Sequence, residues 1–311
     1  MVLEEFKFDF MQDIDPLVRF NPKSLSGKDI DYIIMMVNHD GFNSDTPSPL
    51  ISLMGKPVVS YVKKVCDKQP ITIDMEEDDD VLELIKPSLG VSEWTIVLFS
   101  DTPLLTYKTL AEAFKYAETN DVNVAKLPRG YIFRTEYIKR ANQIYAPNTI
   151  LCDKQDFLCA SNFEELAILS EIMKGRILSS FMKSGVQIVD PSSTYIESLV
   201  TIGDNSIIYP NTCIMGDSHI GSNTTIGFGS TIKNAVIGDK CNVQGALILS
   251  SVVQDSSLIE QSTIENNSLV EKNCVIKQYS VINSAKIGEN SYCCWSKVKG
   301  VEVQANTRLE N

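Results

Sequence analysis

The stretch TIGDNSIIYPNTCIMGDSHIGSNTTIGFGSTIK, residues 201 to 233, decides the fold of the second half of the chain. Isoleucine recurs in it at every sixth residue, at Ile202, Ile208, Ile214, Ile220, Ile226 and Ile232. A small or slender residue stands two positions before each one, at Val200, Ser206, Thr212, Ser218, Thr224 and Ser230. Neither an α-helix nor a single flat strand keeps such a period on one face, so the chain must turn a corner after each hexad. The pattern predicts a parallel β-helix of hexapeptide repeats.

The repeat continues beyond this stretch with two irregularities. It resumes at Ile237, Val243 and Leu249, which follow Ala235, Cys241 and Leu247. It resumes again at Leu258, Ile264, Val270, Ile276 and Ile282, which follow Ser256, Ser262, Ser268, Cys274 and Ser280. A sustained period of six disfavours a β-sandwich, which does not predict it. In a β-helix we expect the large apolar residues to stack inside the coils and the small ones to lie beside the bends.

The change from mixed patterning to hexads near Thr194 indicates two domains in a chain of 311 residues. We predict an α/β domain over residues 1–160, a linking helix over 161–190 and the β-helix over 191–311. For residues 1–30, which carry Phe6, Phe8, Phe10 and Phe20, we expect a packed extension.

Charge and composition exclude some classes of partner. A net charge of -12 disfavours nucleic acid, and the acidic run 75–80 is interpreted as a solvated loop. No stretch approaches eighteen apolar residues, and the amino terminus is acidic, so we expect a soluble cytoplasmic protein without a membrane partner. The eight cysteines lack metal-site spacing and are interpreted as reduced packing residues, as at Cys241 and Cys274.

The first half alternates apolar runs with helical patterns. The runs Asp31 to Val37 and Trp94 to Phe99 predict buried parallel strands, and Val58 to Cys66 and Tyr107 to Glu118 predict helices. This order is typical of a Rossmann-like α/β sheet, in which ligands bind at the carboxyl ends of the strands. We therefore expect residues 38–43 and Asp101 at the mouth of any site.

The segment Ser161 to Gly185 predicts a long helix. Ser161 and Glu164 are interpreted as a capping box, and Gly185 as a left-handed cap at the other end. The chain has two histidines. We expect His39 to be a water-exposed loop residue, with contact to an anion as the alternative, and His219 to face solvent or a neighbouring subunit.

Several segments in the same order resemble the bacterial family that joins an N-acetylglucosamine-1-phosphate uridylyltransferase to a glucosamine-1-phosphate acetyltransferase. In the second half they are Gly185 to Pro191, Thr194 to Ile196, Tyr209 to Thr212 and Ser251 to Val253. In the first half they are Ser44 to Pro47, Gly55 to Pro57 and Phe99 to Leu104. The resemblance implies a nucleotidyltransferase-like α/β domain, a left-handed β-helix and a homotrimer that acts on a nucleotide sugar or sugar phosphate.

The resemblance also implies site residues. Asp101 stands at the family's magnesium-binding position, and Ser161, with Asn162 beside it, stands at the position of the second magnesium ligand. Lys56 stands where a phosphate of the nucleotide or sugar could be met. Magnesium is therefore the cofactor that the resemblance implies.

The chain departs from the family at its phosphate loop and its acetyltransferase site. Val37 and His39 replace loop glycines, Gly41 replaces an arginine and Ser48 a lysine; the uracil-binding element is not found. The acetyltransferase arginine, lysine, histidine and tyrosine fall on Glu271, Asn283, Trp295 and Val298, and the chain ends at Asn311 before the last coils of that site. We therefore expect no acetyl transfer.

Three functional hypotheses follow. The first is a catalytically impaired relative that binds a nucleotide sugar or serves as a scaffold or regulatory partner. The second is an active magnesium-dependent nucleotidyltransferase that uses Asp101 with Lys56, Lys63 or Arg129. The third treats the β-helix as an oligomerisation module that carries the first domain as a passenger.

Overall fold

The computed structural model describes residues 25–76, 78–146, 148–150 and 152–310. The four phenylalanines of the predicted extension lie outside these residues. Two compact units are present, one of which ends at Met173 while the other begins at Lys174.

The first unit is built on a six-stranded sheet. Its strands are β1 (Ile30–Val37), β4 (Ile71–Met75), β5 (Trp94–Phe99), β6 (Val124–Leu127), β7 (Gly130–Arg134) and β8 (Asn148–Thr149), in the order β4-β1-β5-β7-β6-β8. A short antiparallel pair, β2 (Ser52–Leu53) and β3 (Lys56–Pro57), lies beside it in the chain. The helices are α1 (Val58–Lys64), α2 (Val81–Ile85), α3 (Tyr107–Thr119) and α4 (Thr135–Arg140).

The predicted strands β1 and β5 and the predicted helices α1 and α3 are present. The strands form because their apolar residues are buried on both faces of the sheet. All six residues of β5 are buried, because apolar clusters cover both faces of the sheet. One cluster contains Trp94 packed edge-on against Phe114, and the other contains Phe99 and Phe133. Strand β1 pairs in parallel with β4 and β5, as the prediction requires.

The parallel order predicted for the sheet does not extend to β7. This strand runs antiparallel to both β5 and β6, because only Pro128 and Arg129 separate β6 from β7 and so short a turn can join only antiparallel strands. Gly130 permits the turn, since its φ is 138° and a Cβ there would lie 2.6 Å from the carbonyl oxygen of Val97. The turn places Arg129 beside the end of β5.

The long helix α5 spans Phe163–Lys183. The predicted capping box of Ser161 and Glu164 is wrong by one residue: the Asn162 side chain accepts a hydrogen bond from the Glu165 backbone, at 2.9 Å. The Glu165 carboxylate reaches back to the backbone and hydroxyl of Ser161, both at 2.8 Å. Asparagine is as good an N-cap as serine, so residue type alone did not separate the two positions.

The other end of α5 confirms the predicted glycine cap. Gly185 has a φ of 95°, and its backbone N–H donates to the Met182 carbonyl at 3.2 Å. The N–H of Val186 donates to the Phe181 carbonyl at 3.1 Å. The two bonds form a Schellman motif.

The second unit is a solenoid of three parallel sheets. One contains β10 (Tyr195–Ile196), β13 (Cys213–Met215), β16 (Thr231–Lys233), β19 (Leu247–Leu249), β22 (Thr263–Glu265), β25 (Val281–Asn283) and β28 (Lys297–Lys299). The next contains β11 (Thr201–Ile202), β14 (His219–Ile220), β17 (Val236–Ile237), β20 (Val252–Val253), β23 (Leu269–Val270), β26 (Lys286–Ile287) and β29 (Glu302–Val303). The eight-stranded third contains β9 (Gln187–Ile188), β12 (Ile207–Ile208), β15 (Thr225–Ile226), β18 (Asn242–Gln244), β21 (Leu258–Glu260), β24 (Val275–Lys277), β27 (Tyr292–Cys294) and β30 (Arg308–Glu310).

The hexad prediction is confirmed over residues 200–243. Of the six isoleucines first counted, five are buried and Ile202, in the first coils, is partly buried. The small residues beside the bends are buried as well. Two of their hydroxyls bond the next coil: Ser206 donates to the Gly221 carbonyl and Thr224 to the Gly238 carbonyl, both at 2.8 Å, whereas the buried Ser230 hydroxyl has no partner among the described residues. At Ser206 and Thr224 the side chain therefore satisfies a backbone group of the neighbouring coil as well as filling the corner.

The predicted register is wrong between residues 246 and 259. Ile248 and Ile259 are fully buried and pair with Ile232 and Val243 of the preceding coils, whereas Leu249 and Leu258 are only half-buried. The small buried residues two positions before Ile248 and Ile259 are Ala246 and Ser257. Leu247 and Ser256, which the predicted register places beside the bends, lie outside the core. The steps from Val243 to Ile248 and from Ile248 to Val253 are five residues long, and not six. Because Leu249 stands next to Ile248 and Leu258 next to Ile259, a period of six still meets an apolar residue and the shift is not visible in the sequence.

The cysteine prediction agrees with this packing. Cys241, Cys274 and Cys293 are buried in the solenoid, and all eight cysteines are free thiols. Among the described residues, no helix is long and apolar enough to span a bilayer.

Candidate functional site

The ends of β1 and β5 lie side by side, as predicted, and bring residues 38–43 next to Asp101. Met35 pairs with Phe99, and the backbone N–H of Ser100 donates to the Met35 carbonyl at 2.9 Å. The N–H of Val37 in turn donates to the Ser100 hydroxyl at 3.0 Å. The two strand ends therefore form one rim, with Asp101 at its centre.

Asp101 is buried and fully engaged by two side chains. It is 4% exposed, and Arg129 bonds both carboxylate oxygens through Nε, at 3.0 Å each, and one of them through Nη2, at 2.6 Å. Nε2 of His39 lies 3.0 Å from the same Oδ2. The guanidinium also lies 4.7 Å from the centre of the Phe99 ring, which fixes its plane.

The electrostatics of the pair follow from this geometry. Burial acts to raise the pKa of Asp101, but the hydrogen bonds and charges of His39 and Arg129 outweigh it and hold that pKa below its ordinary value. Burial acts to lower the pKa of Arg129, and the bonds from Asp101 reverse that effect and raise it. Asp101 is therefore an anion with its counter-ion already in place.

The prediction that His39 is a water-exposed loop residue is wrong. Its side chain is 12% exposed, and the loop that carries it folds back on itself. The backbone N–H of His39 donates to the Ser48 hydroxyl at 2.9 Å, and the N–H of Ser48 donates to the Asn38 side chain at 2.9 Å. These bonds tie the two ends of the loop together and turn His39 towards Asp101.

The middle of the same loop packs against the beginning of α5. A Cβ at Gly41 would lie 2.5 Å from the carbonyl oxygen of Ser161, so this position admits no side chain in the observed backbone. Phe42 is buried, and its ring meets that of Phe163 edge-on with the centroids 5.1 Å apart. The arginine that the family resemblance expects at residue 41 would therefore not fit here.

What remains beside Asp101 is a cavity of about 10 Å³. Its walls are Val37, Phe42, Ser48, Pro49, Val58, Asp101, Ala160 and Leu166. This space is close to that of a single water, whereas pockets for ligands of nucleotide size measure roughly 300–1,000 Å³. In the described conformation the predicted nucleotide site is closed.

The other predicted binding residues are not brought to Asp101 in the same way. Lys56 lies partly buried in β3 and is not among the walls of the cavity. Ser161 donates from its backbone and hydroxyl to Glu165, although its neighbour Ala160 does line the cavity. The sequence suggests Arg129 only as one of three cations, with Lys56 and Lys63, that could act together with Asp101. The short turn before Gly130 is the sequence feature that indicates its position next to β5.

The donor set at Asp101 does not fit magnesium. Magnesium takes oxygen ligands, but here both Asp101 oxygens already accept hydrogen bonds from a cationic guanidinium, at 3.0 Å or less, and that charge would repel a second cation. Within the part of the chain that the structure describes, no group of three histidine, cysteine or acidic side chains is placed to hold a metal. A metal cation could bind the Asp101 carboxylate only if Arg129 moved away from it.

The positions that correspond to acetyltransferase residues have structural partners. Glu271 pairs with Lys286 at 3.2 Å, and the Asn283 amide donates to Glu265 at 2.7 Å. Val298 is buried inside the coil, where a tyrosine hydroxyl could not reach a ligand. Trp295 is 53% exposed at a corner.

His219 is half-exposed on the solenoid, in agreement with the prediction that it faces outward. Its Nδ1 lies 2.6 Å from the Thr201 hydroxyl, and its Nε2 lies 3.3 Å from the Asp217 carboxylate. The contact with Thr201 ties neighbouring coils together.

Comparisons with known proteins agree with the two-part architecture. The family model "Bacterial transferase hexapeptide (six repeats)" matches residues 199–234. The bifunctional protein GlmU of Clostridioides difficile is 31% identical over 184 residues, which cover 57% of this chain and 38% of that protein. GlmU of Acetivibrio thermocellus is 25% identical over 306 residues, which cover 77% of this chain and 63% of that protein.

A solved structure of CMP:2-keto-3-deoxy-manno-octonic acid synthetase with CTP matches 48% of this chain and 99% of that one, at 11% identity and a TM-score of 0.37. The chain spans less than two thirds of the length of these GlmU relatives. Sequence similarity nevertheless extends over most of this chain, and residues 199–234 match the hexapeptide-repeat model. The chain is a divergent relative of the bifunctional GlmU proteins.

Proposed function

We propose that this protein is a non-catalytic relative of the sugar-phosphate nucleotidyltransferases. In this proposal its α/β unit is held closed by an internal ion pair, and its solenoid gives it a scaffold or regulatory role. The observation that carries the proposal is the buried carboxylate of Asp101, which has Arg129 as its counter-ion and only about 10 Å³ of space beside it.

The energetics of opening support this reading. Removal of one partner from a buried, hydrogen-bonded ion pair typically costs about 3–5 kcal/mol, because the other charge is left uncompensated. A nucleotide with magnesium would have to replace the contacts of this pair with contacts of its own and also separate Phe42 from Phe163. Gly41 and Ser48 stand where the family has an arginine and a lysine, so the loop offers no cation in return.

The second candidate is an active nucleotidyltransferase with a rebuilt loop. The position of Arg129 favours it, since a cation does stand at the rim formed by β1 and β5. It requires Arg129 to exchange Asp101 for a phosphate when substrate binds. Lys63, the other candidate cation on α1, is exposed.

A pyrophosphate-release assay with UTP, N-acetylglucosamine-1-phosphate and magnesium separates the two candidates. For a non-catalytic relative we expect turnover at least about a thousandfold below an active uridylyltransferase measured in parallel, since single losses of a transition-state contact cost a hundredfold to a thousandfold. Turnover near that of the control enzyme, abolished in Asp101→Ala, would establish the second candidate instead.

Nucleotide-sugar binding is tested separately. Isothermal calorimetry with UDP-N-acetylglucosamine is expected to give no heat of binding up to millimolar ligand, because the cavity cannot hold the ligand without rearrangement. A measurable affinity that is lost in Arg129→Met would replace the scaffold role with a ligand-sensing one.

The scaffold role also includes self-association. From the resemblance of the solenoid to the family's β-helices we propose a homotrimer. Sedimentation velocity is expected to give a single species of three chains, and a monomer at micromolar concentration would remove the scaffold role.

A further inference from the structure

One corner of the solenoid carries a line of large exposed side chains. The corner follows the strands of the eight-stranded sheet, and we call the line the aromatic ridge; its members are the partly exposed Tyr209 and the exposed Phe228, Gln261, Tyr279 and Trp295. Gly245 occupies this corner in the coil between Phe228 and Gln261. Phe228 is 58% exposed, Tyr279 63% and Trp295 53%. The rings meet in pairs: Tyr209 and Phe228 have centroids 5.0 Å apart, and Tyr279 and Trp295 have centroids 5.2 Å apart.

The backbone conformation at this corner disfavours large side chains. Gln261, Tyr279 and Trp295 have φ values of 46°, 59° and 56°, in the left-handed region that disfavours bulky side chains. Among the described residues, the left-handed positions of the other two corners hold asparagine, serine, glycine or lysine, as at Asn223 and Asn290. Within the part of the chain that the structure describes, aromatic side chains occupy left-handed positions at this corner alone, and a strained backbone that exposes apolar rings to water indicates a binding function.

The chemistry of the ridge narrows the class of ligand. None of its five side chains is charged, although the chain as a whole carries a net charge of -12. Lys277 and Glu260, on the strands that precede Tyr279 and Gln261, form an ion pair with each other at 3.1 Å. An uncharged surface of rings and an amide offers nothing to phosphates, which require lysine or arginine.

Geometry argues against a peptide strand and against a second copy of the chain. The backbone N–H groups of Gln261, Tyr279 and Trp295 already donate to the previous coil, at 2.7 to 3.2 Å, so no free strand edge is available for pairing. The four aromatic rings of the ridge, partly exposed or exposed, supply on the order of 400 Å². A stable protein interface buries about 1,000 Å² or more.

An extended neutral sugar chain matches both the shape and the chemistry. From β12 to β27 the ridge crosses five steps between coils, which is about 24 Å at the spacing of neighbouring strands. The polarised C–H bonds on the face of a pyranose are attracted to the negative face of an aromatic ring. The Gln261 amide, between the two pairs of rings, can both donate to and accept from sugar hydroxyls.

We propose that the aromatic ridge binds an uncharged linear oligosaccharide, with the Phe228 and Tyr279–Trp295 rings as stacking platforms. This site is independent of Asp101 and of the α/β unit. It does not require the proposed loss of catalysis to be correct.

The test uses the full chain and two neutral hexasaccharides, cellohexaose and mannohexaose. The protein has two tryptophans, and Trp94 is fully buried, so a change in fluorescence on ligand addition reports on Trp295. We expect saturable quenching or a blue shift with a Kd below about 1 mM, which corresponds to about 4 kcal/mol of binding free energy. Hexagalacturonate, a charged chain of similar length, is expected not to bind.

Two substitutions separate binding from folding. Tyr279→Asn and Trp295→Asn place the residue favoured at left-handed positions, so their thermal midpoints should equal or exceed that of the parent protein. Their affinity for the hexasaccharide, measured by calorimetry, should fall at least tenfold. Tyr145→Ala removes an aromatic ring that is 67% exposed in the other unit and should leave the affinity unchanged.

Three results would overturn the proposal: no binding of either hexasaccharide at 5 mM, equal affinity in the asparagine variants, or equal affinity for hexagalacturonate. A change of sedimentation coefficient in Trp295→Asn would assign the ridge to contacts between copies of this chain instead.

Discussion

Arg129 holds the carboxylate of Asp101 with three hydrogen bonds of 2.6 to 3.0 Å, in the place where the family resemblance expects a divalent cation. The guanidinium supplies the positive charge that a metal would otherwise bring. A hairpin turn of two residues delivers it, and that turn joins β6 to β7, which pairs antiparallel with both β6 and β5. The topology of the sheet and the closure of the site are therefore linked.

Removal of the Arg129 guanidinium should lower the stability of the α/β unit, and a second substitution at Asp101 should restore part of that stability. Arg129→Met leaves the Asp101 carboxylate buried without a counter-ion, and we expect the free energy of unfolding of the α/β unit to fall by about 3–5 kcal/mol. Urea denaturation monitored by Trp94, in a Trp295→Asn background, measures this loss. The double variant Arg129→Met with Asp101→Asn should recover part of it, and Arg140→Met, at an exposed site, should change it by less than about 0.5 kcal/mol. Equal losses in Arg129→Met and Arg140→Met would contradict the role of the pair.

The same ion pair should appear in the acid stability of the protein. Because the pKa of Asp101 is lowered in the folded state, its contribution to stability is complete above the unfolded pKa of about 3.9 and is lost as the pH falls through the lower folded value. The thermal midpoint of the parent protein should therefore drop more steeply below pH 4 than that of Asp101→Asn. Midpoints measured from pH 2.5 to 6 check this, and parallel curves for the two proteins would show that Asp101 does not contribute.

The contact between Gly41 and the Ser161 carbonyl should make residue 41 intolerant of any side chain. Gly41→Ala brings a methyl group to 2.5 Å of that oxygen, so the loop or the beginning of α5 has to move. We expect a loss of about 1–3 kcal/mol in the free energy of unfolding. Gly175→Ala is the matched control: it lies inside α5 with no atom within 4 Å of the new methyl, and it should stabilise by about 0.5–1 kcal/mol. A neutral Gly41→Ala would mean that the loop moves freely.

The sequence was sufficient for the features that depend on local pattern. The period of six located Ile208, Ile214 and Ile226 inside the coils, and two apolar runs located β1 and β5, because burial of one face or of both faces leaves a direct trace in residue type. The positions of residues 38–43 and Asp101 at one rim followed from the geometry of parallel strands.

The features that the sequence could not supply depend on contacts between distant residues. Arg129 and Asp101 are separated along the chain, and nothing in either residue type states that they pair. His39 was misplaced for the same reason, since its burial follows from the hydrogen bonds that Ser48 makes across the loop. The cap of α5 was misplaced because two adjacent polar residues can both serve as caps, and only the geometry of Glu165 selects between them.

The corrected register of the solenoid gives a matched pair of substitutions in adjacent residues. Ile248 is fully buried and pairs with Ile232 and Ile264 in neighbouring coils, whereas Leu249 lies half-buried on the outside of β19. Ile248→Ala should therefore create a cavity and cost about 2–5 kcal/mol, while Leu249→Ala should cost less than about 1.5 kcal/mol. Thermal unfolding followed by far-ultraviolet circular dichroism measures both. If Leu249→Ala were the more damaging of the two, the uninterrupted six-residue count would be right and the five-residue steps described for this part of the solenoid would be wrong.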